Sequence, residues 1–398
     1  MTKYYYVRPT DTLFIRGNLA FGESGEHGAS NLPPPPSLFA GAFRSAILGR
    51  APEELANFAQ HGRCSNPNFA ACLGTPAKPG AFRVTWVSLA GQARDQTDKA
   101  EALVPLPADV LAFPSEESAS PKLAPLKARP LPEGLEASGS LPLHAMLHSG
   151  KQEKPRVGYY LRQADLAQYV AGEALTGTEA VSAGHLYTRD PRLGIGLDVD
   201  SRSVQEGLIY TTEGFTFSPR SMGKGPIFNT TGFLVGIEGA DDLLPEQGLL
   251  RLGGDGRSAE YRRVEFAQPR TSLERIAQSR RFRLITYTPT FSEGGWLPPQ
   301  VTLRGDEYYL NGDGFSAKLV CAALGRKEIV SGWDLFNWKP KDAQAAIPAG
   351  SVYWFAALEG DPGKLAAWVT RGLCSDTFSN TPRRAEGYNL AQLGLWLD

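Results

Sequence analysis

Five histidines, His27, His61, His144, His148 and His185, are the side chains of this 398-residue chain best suited to proton transfer near neutral pH. None belongs to an HExxH metal motif, and neither a GxSxG nucleophile elbow nor a GxxxxGK phosphate loop occurs. His144 and His148 have the i,i+4 spacing that chelates a metal on a helix. Their surroundings, LPLHAMLHSG, are short and bounded by Pro and Gly, which favours a loop and no metal. Asp198 and Asp200 share one strand face but read as solvated hairpin carboxylates. His27 lies in GESGEHG, a glycine-rich loop, where an imidazole could serve as general acid or base on a ribose 2′-OH. It has no second catalytic group beside it in sequence.

Anion-binding features are more plentiful. Leu252–Arg257 reads LGGDGR, a turn whose glycines let backbone N–H groups approach a phosphate with no Cβ between. Gly253, Gly254, Gly256 and Arg257 are its candidate contacts. Eight arginines fall between Arg257 and Arg283, interleaved with Tyr261 and Phe282. That stretch is either a solvated surface or a basic track for a nucleic-acid backbone, with counterion release supplying affinity. Pro33–Pro36 leads into Ser37, an N-cap candidate, and the helix start behind it presents free N–H groups and a positive dipole end. Arg44, two turns on, can serve the same strand. Tyr159 and Arg162 in KQEKPRVGYYLR form a stacking and phosphate pair, and Arg220 and Lys224 sit in the glycine-bearing loop SPRSMGKGPIFNTT.

The elements that must position these residues follow from periodicity. Phe282–Tyr287, Glu328–Trp333, Ser351–Ala356 and Tyr388–Trp396 read as strands. Phe315–Leu324 and Lys364–Thr370 read as helices, the second introduced by Asp361-Pro362-Gly363. The order is βαββαβ, a ferredoxin-like unit. The same order recurs earlier. Tyr4–Arg8, Ala81–Leu89, Gly232–Ile237 and Leu249–Leu252 read as strands, Pro36–Gly49 as a helix, and Ala240–Gln247 as a short second helix. The expectation is an α+β chain of two tandem ferredoxin-like (RRM-like) domains, 1–270 and 271–398, with a large insertion at about 91–231 in the first. Seven prolines between Pro105 and Pro132 predict an extended loop within that insertion, and Leu193–Leu197 with Leu208–Phe217 predicts a projecting β-hairpin.

Composition narrows the class further. Lys plus Arg (41) nearly balance Asp plus Glu (42), so any basic surface must be local. The four cysteines, Cys64, Cys72, Cys321 and Cys374, form no CxxC pair, which argues against a zinc site and a disulfide framework. Reduced thiols, an N-terminus without an apolar signal region and the lack of any long apolar run point to a cytoplasmic protein with no membrane contact.

Several segments together carry a resemblance. They are TDTLFIRGNLAFG, PPPPSLFAGAFRSAIL, GIGLDVDSRSVQEGLIYTTEGF, LRLGGDGR, IVSGWDLFNWKPKDAQAAIPAGSVYWF and GYNLAQLGLW. In this order, over about residues 8 to 396, the chain resembles the third subunit of the type III-B CRISPR (Cmr) effector complex, of the RAMP superfamily. The resemblance implies a ribonucleoprotein subunit in antiviral defense that is not an enzyme and needs no cofactor or metal. It would bind the 5′ tag of the CRISPR RNA, dock the large polymerase-like subunit and abut an adjacent backbone RAMP subunit. Ser37, Arg44, Gly253, Gly254, Gly256 and Arg257 are the positions it carries over as RNA contacts. The helix bearing Arg44 and the Leu252–Arg257 turn would then line one furrow. Arg220, Lys224 and the hairpin from Gly194 to Phe217 follow more loosely, as contacts to the tag or to a neighbour. Pro340–Gln344 departs from the basic stretch expected there, which leaves Lys339 and Lys341 alone in that loop. The alternative within the superfamily is a metal-independent endoribonuclease that processes CRISPR RNA with His27 as base. A third reading is a scaffold whose arginines meet acidic protein surfaces.

Overall fold

The computed structural model describes the chain except residues 16–26, 29–31, 94–95, 116–119, 149–152, 176–179, 199, 219–226, 255, 335, 374–380 and 398. The chain divides into two compact units that interleave in sequence. One comprises 1–100, 183–266 and 330–343, the other 101–182, 267–329 and 344–398.

The first unit is built on an antiparallel sheet. Its strands lie in the order Arg83–Gln92, Thr230–Glu238, Lys3–Pro9, Ser258–Val264, Gln247–Arg251. Thr230–Glu238 is a nearly unbroken buried run, as a strand covered on both faces must be. Tyr5, Tyr6 and Val7 of the neighbouring strand are also buried. The helix Pro36–Leu48 covers one face. Phe39 packs edge-on against Phe233 at 5.0 Å, and Phe43 meets Tyr5 at 5.5 Å and Tyr261 at 5.4 Å. Such aromatic contacts each add about 1 kcal/mol beyond area burial.

Two expectations for this unit are corrected. Ala240–Gln247 forms a turn rather than a helix. Gln247–Arg251 is an outer strand, and the strand beside Lys3–Pro9 is Ser258–Val264, inside the stretch read as a basic track. Its two arginines, Arg262 and Arg263, are consecutive and point to opposite faces, and Ala259, Tyr261 and Val264 are buried. The unit also carries the expected hairpin. Thr188–Leu197 pairs with Val204–Thr216, which takes Leu13–Phe14 antiparallel and His27–Gly28 parallel on its other edge.

The second unit holds a six-stranded antiparallel sheet. Its order is Val301–Arg304, Glu307–Gly312, Phe315–Ala323, Val352–Gly360, Phe282–Thr286, Ala391–Gly394. The helix expected at Phe315–Leu324 is therefore a strand. Phe315, Ala317, Leu319 and Cys321 are buried at a period of two, a spacing that a short apolar run hides from sequence reading. Glu328–Val330 is a short strand outside this sheet. The helix Pro362–Thr370 starts as expected. Asp361 caps it, its side chain accepting from the Gly363 N–H at 2.7 Å.

The proline-rich segment is not a loop. Val110–Phe113 pairs with Lys122–Pro125, and Lys127–Arg129 with His144–Met146. Between the prolines Val110, Ala112 and Leu123 are buried, and that apolar area outweighs the missing donors. Asp109, Tyr169 and Arg283 fasten the segment to the sheet of the same unit, all three nearly inaccessible. Arg283 donates to Asp109 at 2.6 Å, to the Leu395 carbonyl at 2.7 Å and to the Tyr169 carbonyl at 2.6 Å, and the Tyr169 hydroxyl donates to Asp109 at 2.6 Å. Burial pushes the Asp109 carboxyl up against the opposing pull of Arg283. No helix among the described residues is long and apolar enough to cross a membrane.

Candidate nucleic-acid interface

The first sheet ends at Pro9, Thr230, Arg251 and Ser258, which lie together at one rim by strand register. The Leu252–Arg257 turn closes the last two strands at that rim. Leu252 donates to the Arg257 carbonyl at 2.9 Å, and Gly254 donates to the Phe14 carbonyl at 2.7 Å. Gly253 has φ +81, and a Cβ there would sit 2.4 Å from the Phe14 carbonyl oxygen. Only glycine fits this contact, so the turn is seated on the Leu13–Phe14 strand. The Gly254 amide is used internally and is not available to a phosphate.

The Phe14 ring is the centre of what the turn builds. The Arg257 guanidinium lies 5.5 Å from its centroid, and that of Arg192 lies 5.4 Å from it. Arg257 pairs with Asp11. Arg192 pairs with Asp190 at 2.8 Å and also donates to the Thr12 hydroxyl at 3.0 Å. The Thr12 N–H bonded to its carboxylate holds Asp11 below the usual carboxylate range, aided by Arg257 and Arg192. Both arginine side chains keep solvent access, at 31% and 44%. Exposed carboxylate pairs contribute little, so a phosphate can take their place at small cost. Two guanidinium groups against one aromatic ring suit a phosphate and the base beside it.

The other expected residues fall elsewhere. Helix Pro36–Leu48 runs from the Val7 level, where Phe39 meets Phe233, toward Tyr5, where Phe43 packs. Its start, with Ser37, therefore faces the same rim as the glycine turn. Ser37 is not the N-cap. Pro35 holds that position, and Ser37 lies inside the first turn. Arg44 points away. Its guanidinium lies 5.0 Å from the Phe82 centroid, just before Arg83, which pairs with Glu238 at the far end of the sheet. Three to four strand spacings, about 14–19 Å, and the length of a strand separate it from the turn. Arg44 and Leu252–Arg257 thus do not line one furrow. In the second unit Arg162 is held by both oxygens of Glu101 at 2.8 Å, and Tyr159 is half-buried at the start of a strand paired on both sides. Arg220 and Lys224 lie outside the described residues. The backbone of His27 pairs with Thr211.

The basic track is dispersed. Arg262 donates to Gln92, Arg263 pairs with Glu246 at 2.9 Å and Arg283 is buried on Asp109. Sequence reading missed Phe14, Arg192 and Asp11. Their signal was weak, since Phe14 belongs to a two-residue strand and Arg192 precedes the alternating part of its hairpin. Among the described residues no cluster of three or more His, Cys, Asp or Glu could hold a metal. His144 lies on a strand, so its spacing to His148 places no pair on a helix face.

Comparison with known proteins gives one match by family and several by structure. No curated protein matches. Residues 5–396 match the family model described as CRISPR-associated protein (Cas_Cmr3). A chain in the cryo-EM structure of the Type III-B Cmr-beta bound to cognate target RNA is similar at 14% identity and TM-score 0.48, over 98% of this chain and 96% of that one. A chain in the apo-state structure of Type III-B Cmr-beta is similar at 10% identity and TM-score 0.27, over 67% of this chain and 98% of that one. With the family model matched over almost its whole length, the chain belongs to the Cmr3 family of CRISPR-associated proteins.

Proposed function

We propose that this chain is a non-catalytic subunit of a type III-B CRISPR effector that holds the 5′ tag of the CRISPR RNA at the rim of its first sheet. Membership of the Cmr3 family supports the setting. The observation that carries the site is the Phe14 ring under two solvent-reachable guanidinium groups, beside a turn that glycine alone can close. Single-stranded RNA is held by phosphate contacts and stacked bases, and this rim offers both in one place. Four strands of each unit lie in antiparallel 4-1-3-2 order, ending at Ser258–Val264 and Arg83–Gln92 in the first and at Ala391–Gly394 and Phe315–Ala323 in the second, which supports a ferredoxin-like reading. We read each unit as one such RAMP domain that has exchanged one helix for added strands. The remaining surfaces would meet the large polymerase-like subunit and the adjacent backbone subunit. The reading includes no cleavage step.

The test is an Arg192→Ala, Arg257→Ala double variant built into the reconstituted effector. Each lost charge-assisted contact lowers affinity by about tenfold, so retention of a tag-bearing CRISPR RNA should fall by at least that factor. The salt slope should drop by about two phosphate contacts. Unchanged affinity and slope, with assembly intact, would refute the site.

A further inference from the structure

The second unit has a cavity of about 310 Å³ lined by Arg275, Ser279, Arg281, Leu395 and Trp396. Its geometry follows from a helix end. Leu273–Ser279 is capped by Ser272, and Arg280 turns the chain at φ 51 into the strand Phe282–Thr286. Arg281 therefore leaves the turn at the mouth of the cavity. The Trp396 N–H is shared between the Phe282 carbonyl at 3.0 Å and the Phe355 carbonyl at 3.2 Å, which fixes the indole plane. The Arg281 guanidinium lies 5.0 Å from that ring. Ser279 accepts from the Arg281 N–H at 3.4 Å and donates to the Arg275 carbonyl at 2.7 Å, tying the two arginines' backbones. Arg275 spends one N–H on the Ala171 carbonyl at 3.0 Å.

These two arginines differ from the ion-paired ones in lacking an anion. Arg8, Arg83, Arg162, Arg189, Arg263 and Arg283 each pair with a carboxylate. Among the described residues neither Arg275 nor Arg281 has a carboxylate within 4.0 Å. A guanidinium resting on an indole keeps its N–H edge free and pre-oriented, so little side-chain entropy is lost when an anion arrives. The cavity volume sits at the lower end of small-ligand sites, the scale of a single nucleotide unit.

We infer that this cavity holds a phosphodiester of single-stranded RNA, through Arg281 on Trp396 with Arg275 beside it, as a second RNA contact on the other unit. The inference rests on the reading of the chain as an RNA-holding subunit. Two guanidinium groups without a carboxylate, backed by a fixed aromatic plane, match a phosphate flanked by a base better than a carboxylate alone.

The experiment uses the full-length chain and a dye-labelled oligouridine in fluorescence anisotropy, across a salt series. The variants are Arg281→Ala, Arg281→Lys and, as a reference for the first unit, Arg257→Ala. Arg281→Ala should weaken the oligonucleotide about tenfold and reduce the salt slope by about one. Arg281→Lys should restore the slope and only part of the affinity, because a point charge lacks the fork and the stacking plane. If Arg257→Ala weakens binding and Arg281→Ala does not, the inference is overturned and the first site stands. If neither variant changes binding, both fall. Inorganic phosphate and polyglutamate, at matched ionic strength, complete the test. Displacement of the oligonucleotide by either, lost in Arg281→Ala, would overturn RNA in favour of a free anion or an acidic protein.

Discussion

Gly253 is the position where the rim tolerates a side chain least. Its φ of +81 and the 2.4 Å approach of the Phe14 carbonyl leave no room for a side chain. Gly253→Ala should therefore cost about 1–3 kcal/mol of stability in urea denaturation. It should also weaken RNA retention, because lifting the turn carries Arg257 off Phe14. Wild-type stability would show that the turn is not seated as described. The glycines and Arg257 were legible in the sequence because LGGDGR is a local pattern. Phe14 and Arg192 were not. They meet Arg257 only through pairing with Val204–Thr216, about two hundred residues away in sequence from Phe14. Ser37 shows the opposite error, since a good N-cap residue lost the position to Pro35 when the helix started at Pro36.

At the scale of elements, the firmest joint is the buried one between the 101–182 segment and the second sheet. Asp109 answers Arg283 and accepts from Tyr169, with all three side chains shielded from solvent. Asp109→Ala would leave a guanidinium buried without its counter-charge, a loss of about 3–5 kcal/mol. Urea unfolding of the intact chain should show that loss, and Asp109→Asn should recover part of it by keeping an acceptor for Tyr169. A shift below about 1 kcal/mol for Asp109→Ala would mean that the joint is not part of the folded core. Long β patterns such as Thr230–Glu238 could be read from sequence because their apolar runs are unbroken. Phe315–Ala323 could not. Its residues satisfy a helical and a strand spacing alike, and only pairing with Glu307–Gly312 and Val352–Gly360 decides between them. The prolines from Pro105 to Pro132 misled in the same way, since Pro105 and Pro125 end short strands and Pro114, Pro121 and Pro130 flank them.

For the whole molecule, charge balance and chain order matter more than any motif. A net charge of −1 is compatible with RNA binding because basic charge can be concentrated locally, while arginines such as Arg8, Arg83, Arg162, Arg263 and Arg283 are neutralised where they stand. The run from Arg257 to Arg283 looked continuous in sequence and is divided in space between two units. Family membership was legible because its motifs keep their order along almost the full chain. The division into interleaved units was not, since contacts between distant segments leave no local trace. The most direct measurement is photo-crosslinking of a CRISPR RNA, substituted in its 5′ tag, within the assembled effector, followed by peptide mapping. The account predicts tag crosslinks to the peptides around Phe14 and Leu252–Arg257. Tag crosslinks found only on other subunits, or only near Arg44 and Phe82, would contradict it.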